Sequence, residues 1–206
     1  MAEETERLAL FPLGLVLLPR ELVPLHIFED RYRTMIGECL DEETEFGILW
    51  LSDEGLREVG CSARITRVLE RFEDGRLNIL VEGSTPFRLL RRIEDLAYPA
   101  GDVTRLVDDS DDADASQLER TRDRYADLVQ QVTDSRPDEE ALADLDAYGM
   151  AATLDIEAGA KQSLLELRSE RGRLEQLDAL MAEALERLKL HARAAERASG
   201  NGHMRG

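Results

Sequence analysis

The stretch ARITRVLERFEDGRLNILV, residues 63–81, decides the fold of this chain. Its two halves are short runs rich in Val, Ile and Leu, a composition that is typical of strands. Between them lies Glu73-Asp74-Gly75, and an Asp-Gly pair supplies the positive φ angles of a tight hairpin turn. The sequence therefore predicts a β-hairpin between residues 63–72 and 76–81.

Further strand-like runs surround the hairpin and make the chain β-rich as far as residue 107. Each run is short and apolar, and each is closed by Gly, Pro or another turn residue. The runs predicted as strands cover residues 8–11, 15–18, 23–28, 46–51, 59–72, 77–81 and 87–93.

One helix is predicted inside this β-rich part, at residues 30–40. Apolar side chains recur there at helical spacing and form a single stripe, made of Tyr32, Met35, Ile36, Cys39 and Leu40. Such a stripe indicates an amphipathic helix that packs on a sheet, and Asp30 is its predicted N-cap.

After residue 107 the pattern changes. Residues 108–116 (DDSDDADAS) contain five Asp and no large apolar side chain, which predicts an exposed linker. Apolar residues then recur at helical spacing in four segments, at about 118–132, 142–152, 158–167 and 174–190. We predict an α+β chain with a β-rich lobe (1–107), an acidic linker (108–116), a helical lobe (117–198) and a flexible tail (199–206).

The composition excludes several classes of protein. The 206 residues carry 44 acidic and 26 basic side chains, a net charge of −18. This charge argues against nucleic acid as a partner, because phosphate binding relies on clustered Lys and Arg. The N-terminus is acidic, which is the opposite of a signal peptide. No apolar stretch approaches the length of about 18 residues that a membrane-spanning helix needs. The two cysteines fit neither a disulfide framework nor a zinc pattern. From the N-terminus, the apolar runs and the cysteines together, we expect a cytoplasmic protein without a membrane partner.

Several ordered motifs carry a resemblance to a known family. The chain opens with LALFPL (8–13), LLP (17–19) and VPLHIFEDRY (23–32), and it continues with FGIL (46–49), VGCSARI (59–65) and GRLNILVEG (75–83). A later helical segment contains LDIE (154–157) and KQSLLE (161–166). Together these motifs resemble the Lon protease N-terminal (substrate-binding) domain family, and in particular its stand-alone members.

This resemblance implies a PUA-like β-barrel lobe followed by a C-terminal helical bundle. It also implies a domain that contacts unfolded or degron-bearing polypeptides. In full-length members of the family, an ATPase and a peptidase follow this domain. One departure lies in the first turn, where family members often have Phe-Pro-Gly and this chain has Leu18-Pro19-Arg20.

The sequence argues against both ATPase and peptidase activity in this chain. A phosphate-binding loop needs a glycine directly before its lysine, and the nearest approach, Gly159-Ala160-Lys161-Gln162-Ser163, lacks it. A Ser-Lys dyad would have to use Lys161 or Lys189, the only lysines, and both are predicted on solvated helix faces. We predict no enzymatic activity and no cofactor.

Two patterns resemble metal sites. Asp108 to Glu119 have the spacing of a calcium loop, but Ala113 stands where that loop requires glycine. His26 and Glu29 are close in sequence, but zinc needs three or four ligands. We therefore predict no metal and a structural His26, bonded to the backbone or to Glu29.

The function predicted from the resemblance is that of a non-enzymatic polypeptide-binding module serving a separate ATP-dependent protease or chaperone. An unfolded client offers apolar side chains and a free backbone edge. The candidate contact residues are therefore apolar: Leu17, Leu18, Pro19, Phe28, Tyr32 and Phe87. The acidic surface favours basic clients.

Three alternatives stay open. A PUA-like lobe could bind RNA, as other folds of that superfamily do, which salt-sensitive RNA binding would reveal. The C-terminal Leu stripe could pair between chains in a self-associating structural protein, which light scattering would detect. The third alternative is a hydrolase, which degradation of casein by the pure protein would reveal.

Overall fold

The computed structural model of the chain describes residues 5–93, 96–109 and 114–201, with side chains up to residue 191. It contains both strands and helices, which confirms the α+β prediction. The chain forms two compact units. The barrel unit comprises Met1–Ser110 and Ala151–Arg168, and the helical unit comprises Asp111–Met150 and Ser169–Gly206.

Within the described residues, six strands form one sheet in the barrel unit. They are β1 (Thr5–Leu13), β2 (Leu22–Ile27), β3 (Phe46–Ser52), β4 (Gly55–Arg71), β5 (Leu77–Ile93) and β6 (Ala100–Arg105). Their order is β2-β5-β4-β3-β1-β6, and β5 also pairs with β6. This second pairing closes β5, β4, β3, β1 and β6 into a barrel, with β2 added along the N-terminal half of β5.

The hairpin predicted from residues 63–81 is confirmed. Antiparallel pairing of β4 with β5 begins beside the turn, at Arg71 and Leu77. The Phe72 N–H donates to Arg76 O (2.9 Å), and Gly75 has a φ of +83°, a conformation that glycine adopts without steric cost. Asp74 has no such positive φ, so the turn is a three-residue loop with glycine at its left-handed position.

Three strand predictions differ from the structure. Residues 77–81 and 87–93 belong to one continuous strand, β5, and the sequence does not predict β6, whose residues are mainly small or charged. Residues 15–18 are irregular and mostly buried. Their backbone passes so close to β5 that a Cβ on Gly83 would lie 2.0 Å from Leu18 O. The apolar character of 15–18 therefore reflects burial and not strand pairing.

The predicted helix at residues 30–40 is confirmed as α1 (Asp30–Glu42). Its buried face contains four of the five predicted residues, Tyr32, Met35, Ile36 and Cys39. The N-cap prediction is wrong, because Glu29 occupies that position and Asp30 lies in the first turn, where its carboxylate pairs with Arg33 (2.9 Å). α1 therefore starts directly after Phe28 and Glu29 and places Tyr32 in its first turn.

A polar network connects the strands of the barrel. Arg105 of β6 donates to Ser62 Oγ of β4 (2.9 Å), and it forms ion pairs with Glu45 (3.2 Å) and with Glu6 of β1. Ser62 Oγ also accepts a hydrogen bond from the backbone N–H of Thr85 in β5 (3.1 Å). Glu45 directly precedes β3, so the network reaches all five strands of the ring.

In the described residues after β6, the structure has five helices: α2 (Ala115–Thr133), α3 (Glu139–Ala143), α4 (Ala147–Ala151), α5 (Ala158–Glu166) and α6 (Glu170–Asn201). The helix predicted at 142–152 is interrupted at residues 144–146 and corresponds to parts of α3 and α4. α2 and α6 run parallel, because Gln117 donates to Arg171 O (3.2 Å) and, seven residues further along each helix, Arg124 pairs with Asp178 (2.8 Å). In the part of the chain that is described, no helix is long and apolar enough to cross a membrane.

The compact units differ from the predicted lobes in one segment. The sequence assigns all residues from 117 to 198 to one helical lobe, whereas residues 151–168, which include α5, belong to the barrel unit. Gln162 of α5 donates to Val59 O (3.1 Å), and Lys161 Nζ lies 2.5 Å from Glu21 Oε1. Lys161 is thus mostly buried, which corrects its predicted place on a solvated face. Residues 110–113 of the predicted linker and 202–206 of the predicted tail lie outside the described residues.

Candidate functional site

An open groove of about 730 Å³ lies in the barrel unit, where several strands end. Its walls come from the ends of β1, β2, β3 and β5, the starts of β4 and α1, and the residues that lead into β6. The lining is mainly apolar: Leu10, Phe11, Pro12, Leu13, Ile27, Phe28, Tyr32, Leu51, Leu56, Ile93, Leu96, Ala97, Tyr98, Pro99 and Ala100. The polar side chains in it are His26, Glu29, Arg31 and Arg92.

Large apolar side chains on the lining are unusually exposed. Phe28 is 60% exposed, Leu51 is 51% exposed and Leu96 is 47% exposed. These three come from different parts of the chain, and the barrel brings them to one groove. Exposed apolar side chains that cluster in this way mark binding surfaces more often than single ones do.

The buried part of the groove lining contains two aromatic rings in contact. The ring centroids of Phe11 and Tyr32 are 4.1 Å apart, and both side chains are buried among their neighbours. The Arg31 guanidinium lies 4.6 Å from the Tyr32 ring centroid and pairs with Glu29 (2.8 Å). Burial raises the pKa of Tyr32, an effect that Arg31 opposes and Glu29 reinforces. The phenol is therefore neutral and presents an uncharged ring.

Tyr98 also lines the groove, and its side chain is bound by a residue outside the lining. Its hydroxyl donates a hydrogen bond to the Glu38 carboxylate of α1. This hydrogen bond, with smaller contributions from burial and nearby acids, raises the pKa of Tyr98 to about 12. The anchored hydroxyl fixes the orientation of the ring beside Pro99.

His26 positions the exposed ring of Phe28. Asn78 donates to Glu70 (3.0 Å), which leaves its Oδ1 as an acceptor, so His26 Nδ1 donates to it over 2.6 Å. The His26 ring stacks on Phe28 with centroids 5.8 Å apart. His26 thus has a structural role, but its hydrogen-bond partner among the described residues is Asn78, and not the predicted backbone group or Glu29.

The structure separates the six candidate contact residues. Phe28 and Tyr32 line the groove, and of these Phe28 is the exposed one. Leu17, Leu18 and Pro19 are buried in the irregular segment before β2. Phe87 is fully buried in a core cluster with Leu8, Leu10, Leu49 and Val103.

Of the residues that line the groove, the sequence singles out only Phe28 and Tyr32 as contact residues, and it misses Leu51, Leu96 and Tyr98 among the others. Leu51 continues the apolar run of β3, and the run gives no sign that its last leucine is half exposed. Leu96 and Tyr98 lie between β5 and β6, a connection whose place at the groove depends on the closure of the barrel. A Tyr-Pro pair beside an isolated leucine was the only local signal.

No metal site is found among the residues that the structure describes, where no group of three or more His, Cys, Asp or Glu side chains could hold an ion. Positions 110–113 of the calcium-like pattern are outside that part of the chain.

Comparison with known proteins gives the family. The model of the ATP-dependent protease La (LON) substrate-binding domain matches residues 7–190. A Lon N-terminal domain protein from Xanthomonas campestris is 27% identical, with a TM-score of 0.65 over 84% of this chain and 98% of that one. The N terminal domain of Mycobacterium avium complex Lon protease shares the fold at 18% identity, with a TM-score of 0.67 over 86% of this chain and 98% of that one. Because the family model covers most of its length, this chain belongs to the ATP-dependent protease La (LON) substrate-binding domain family.

Proposed function

We propose that this protein is a non-enzymatic module that binds unfolded or degron-bearing polypeptides in the groove of its barrel unit. The observation that carries the proposal is the cluster of exposed apolar side chains, Phe28, Leu51 and Leu96, on one groove. Membership of a substrate-binding domain family supports it. The bound clients pass to a separate ATP-dependent protease or chaperone in the cytoplasm.

The groove suits an extended apolar segment for a physical reason. Folded proteins bury most of their large apolar side chains, whereas unfolded chains expose them. Each aliphatic or aromatic side chain that enters the groove removes apolar surface from water on both sides of the contact. The rings of Tyr32 and Tyr98, which have contacts of their own, add apolar contact area and lose little conformational freedom on binding.

The test compares an unfolded protein with its own folded form. A small two-state protein and a destabilised variant of it that stays unfolded in native buffer are labelled with the same fluorophore. Fluorescence anisotropy then measures the affinity of the full chain for each. We expect the unfolded form to bind and the folded form to bind at least tenfold more weakly. Equal affinity for the two forms rejects the proposed function.

Matched variants locate the binding surface. Leu51→Ser changes a groove residue that is 51% exposed, and Leu90→Ser changes a leucine of the same exposure outside the groove. Leu96 and Leu69, at 47% and 48%, form a second such pair. We expect the groove variants to lose about fivefold to tenfold in affinity, and the controls to change by less than twofold. Equal losses in both members of each pair argue against the groove.

A further inference from the structure

Strand β2 (Leu22–Ile27) lies at one edge of the sheet, and among the described strands it pairs only with β5. This pairing is antiparallel and regular, from Leu22 opposite Glu82 to Ile27 opposite Leu77. An edge strand presents backbone N–H and C=O groups to which a second extended chain can bond. One side of β2 is thus bonded to β5, and the described part of the chain supplies no strand for the other side.

The hydrogen bonds of β5 show which backbone groups of β2 point away from it. The Gly83 N–H donates to Glu21 O (2.9 Å), so Glu21 directs its carbonyl towards β5. In an antiparallel pair, residues that bond to the partner strand alternate with residues that do not. The N–H and C=O groups of Leu22, Pro24 and His26 therefore point outward.

Pro24 occupies one of these outward positions, which is where an edge strand accepts proline, because the missing N–H is not needed for the ladder. Leu80 is the residue of β5 opposite Pro24, and its carbonyl accepts a hydrogen bond from the Thr66 hydroxyl of β4 (3.1 Å). That carbonyl points away from β2, as the alternation requires. The outward side of β2 therefore presents two N–H groups, of Leu22 and His26, and three carbonyl oxygens.

A stretch of β4 also has a free edge, and its chemistry is different. β4 pairs with β3 only as far as Ala63, so within the described chain residues 64–71 pair with β5 alone. That stretch contains four charged side chains and two shifts of register. Charges and bulges are features that keep an edge strand from pairing with another chain. β2 has no charged side chain and no shift of register, and Pro24 is its one protective feature.

The outward positions of β2 lead into the groove. Leu22, Pro24 and His26 have exposed side chains on one face of the strand, and Leu22 is 57% exposed. The ring of Phe28 stacks on His26 and continues this row. His26, Ile27 and Phe28 all line the groove. A chain added along β2 therefore has one end in the groove, and every second side chain of it lies beside the exposed row.

We propose that the client binds by strand addition along the free edge of β2, with one end of the bound segment in the groove. The occupant is an extended segment of an unfolded polypeptide in which every second side chain is apolar. Another extended backbone matches the outward groups of Leu22 and His26, which are four residues or about 13 Å apart. This inference rests on the proposed function and specifies how the client is held.

Strand addition explains why such a module would select unfolded chains and tolerate many sequences. A folded protein has already paired its buried backbone groups, so it has few extended segments to offer. The hydrogen bonds to β2 involve the client's backbone, which is the same for every residue except proline. The apolar row beside them selects only the alternation of the client's side chains.

N-methylated peptides test the proposal. The parent is a labelled peptide of about eight residues, a typical strand length, with Val at every second position. One derivative has three N-methyl groups on Val residues, and the other has three on the residues between them. We expect one derivative to lose at least tenfold in affinity for the full chain and the other to lose less than threefold.

The derivative that loses affinity also gives the direction of the added strand. In antiparallel addition, the residues whose side chains lie beside Leu22 and His26 also direct their N–H groups towards β2. Loss in the Val-methylated peptide therefore indicates antiparallel addition, and loss in the other derivative indicates parallel addition. Equal affinities of the two derivatives overturn the proposal, because binding by side chains alone does not distinguish them.

Amide hydrogen exchange locates the bound strand on the protein. We expect saturating parent peptide to slow exchange of the Leu22 and His26 amides at least tenfold. The amides of β4 residues 64–71 that point away from β5 are the control, and their exchange should change by less than twofold. Leu22 and His26 amides that gain no more protection than these controls overturn the proposal.

A variant that adds a hydrogen-bond donor provides a gain-of-function test. Pro24→Val keeps an apolar side chain of three carbons and adds an outward N–H to β2. We expect it to bind the parent peptide at least threefold more tightly. Pro137→Val, which changes a proline between α2 and α3 in the helical unit, is the control and should leave the affinity unchanged. Equal affinities of the two variants count against strand addition.

The two proposals fail in distinguishable ways. If the unfolded protein binds but the two methylated peptides do not differ, the proposed function stands and strand addition is wrong. If neither the unfolded protein nor the parent peptide binds, the proposed function itself fails.

Discussion

Lys161 Nζ of α5 lies 2.5 Å from Glu21 Oε1, and the other oxygen of the same carboxylate accepts a hydrogen bond from Leu18 N–H (2.9 Å). Both charged side chains are mostly buried, at 14% and 10% exposure. One ion pair thus connects the helical segment 151–168 to the irregular segment before β2. The Lys-Gln pair of α5 is explained by contacts within the barrel unit, since the adjacent Gln162 bonds to Val59 O.

Lys161→Met should destabilise the protein by about 3 kcal/mol, because it leaves the buried Glu21 carboxylate without its cation. The measurement is the free energy of unfolding from urea titration. Lys189→Met is the matched control, because Lys189 pairs with Glu186 on the surface, and its loss should cost less than about 0.5 kcal/mol. Adding Glu21→Gln to Lys161→Met should restore part of the stability. Equal effects of the two lysine variants would contradict a buried pair.

The Arg20→Gly variant should be more stable than the Arg20→Ala variant. The φ of Arg20 is +68°, in the left-handed region where a side chain costs about 1–2 kcal/mol. Because the Arg20 side chain has contacts of its own, the comparison is between Arg20→Gly and Arg20→Ala, which both remove them. We expect the glycine variant to be more stable by about 1 kcal/mol in urea unfolding, and equal stabilities would exclude backbone strain.

The sequence predicts those elements whose signals are local. The β4–β5 hairpin is encoded by Asp74-Gly75 and the runs beside it, and α1 by the spacing of Tyr32, Met35 and Ile36. Residues 15–18 have the composition of a strand, yet they are irregular because their backbone packs against Gly83 from a distant part of the chain. The local sequence pattern indicates that such a segment is buried, but it does not indicate which other segment it packs against.

The groove was harder to predict than the fold for the same reason. Leu18 and Phe28 are equally plausible contact residues in the sequence, but one is fully buried and the other is 60% exposed. Exposure depends on where the closed barrel places each strand end.

Glu45 should make the protein less stable in acid. Burial raises the pKa of this carboxyl, but hydrogen bonds from Ser62, Ser84 and Arg105 outweigh burial, so that its pKa lies below the ordinary value of 4.5. The native state therefore binds this proton less tightly than the unfolded state does. The stabilisation is present above about pH 4.5 and is lost as the pH falls through the lower native pKa.

Urea unfolding at a series of pH values between about 7 and 3 tests this expectation. Glu45→Gln should be less stable than the unsubstituted chain at pH 7, and the difference should shrink as the pH falls below the ordinary pKa. Glu73→Gln, which changes an exposed carboxylate in the hairpin loop, should show a small difference at every pH. A constant deficit for Glu45→Gln would mean that its effect comes from packing and not from its charge.

Cys39 and Cys61 should react with a thiol reagent only when the barrel unit opens. Cys39 is buried in α1 and Cys61 is fully buried in β4, and burial is the main cause that raises the pKa of both thiols. Since the thiolate is the reactive form, a native thiol at pH 8 is both inaccessible and protonated. The Cys39→Ala variant isolates Cys61, and its labelling by an aromatic disulfide should be slow and should accelerate with urea in parallel with global unfolding. Rapid labelling without urea would show that β4 opens locally in the native barrel.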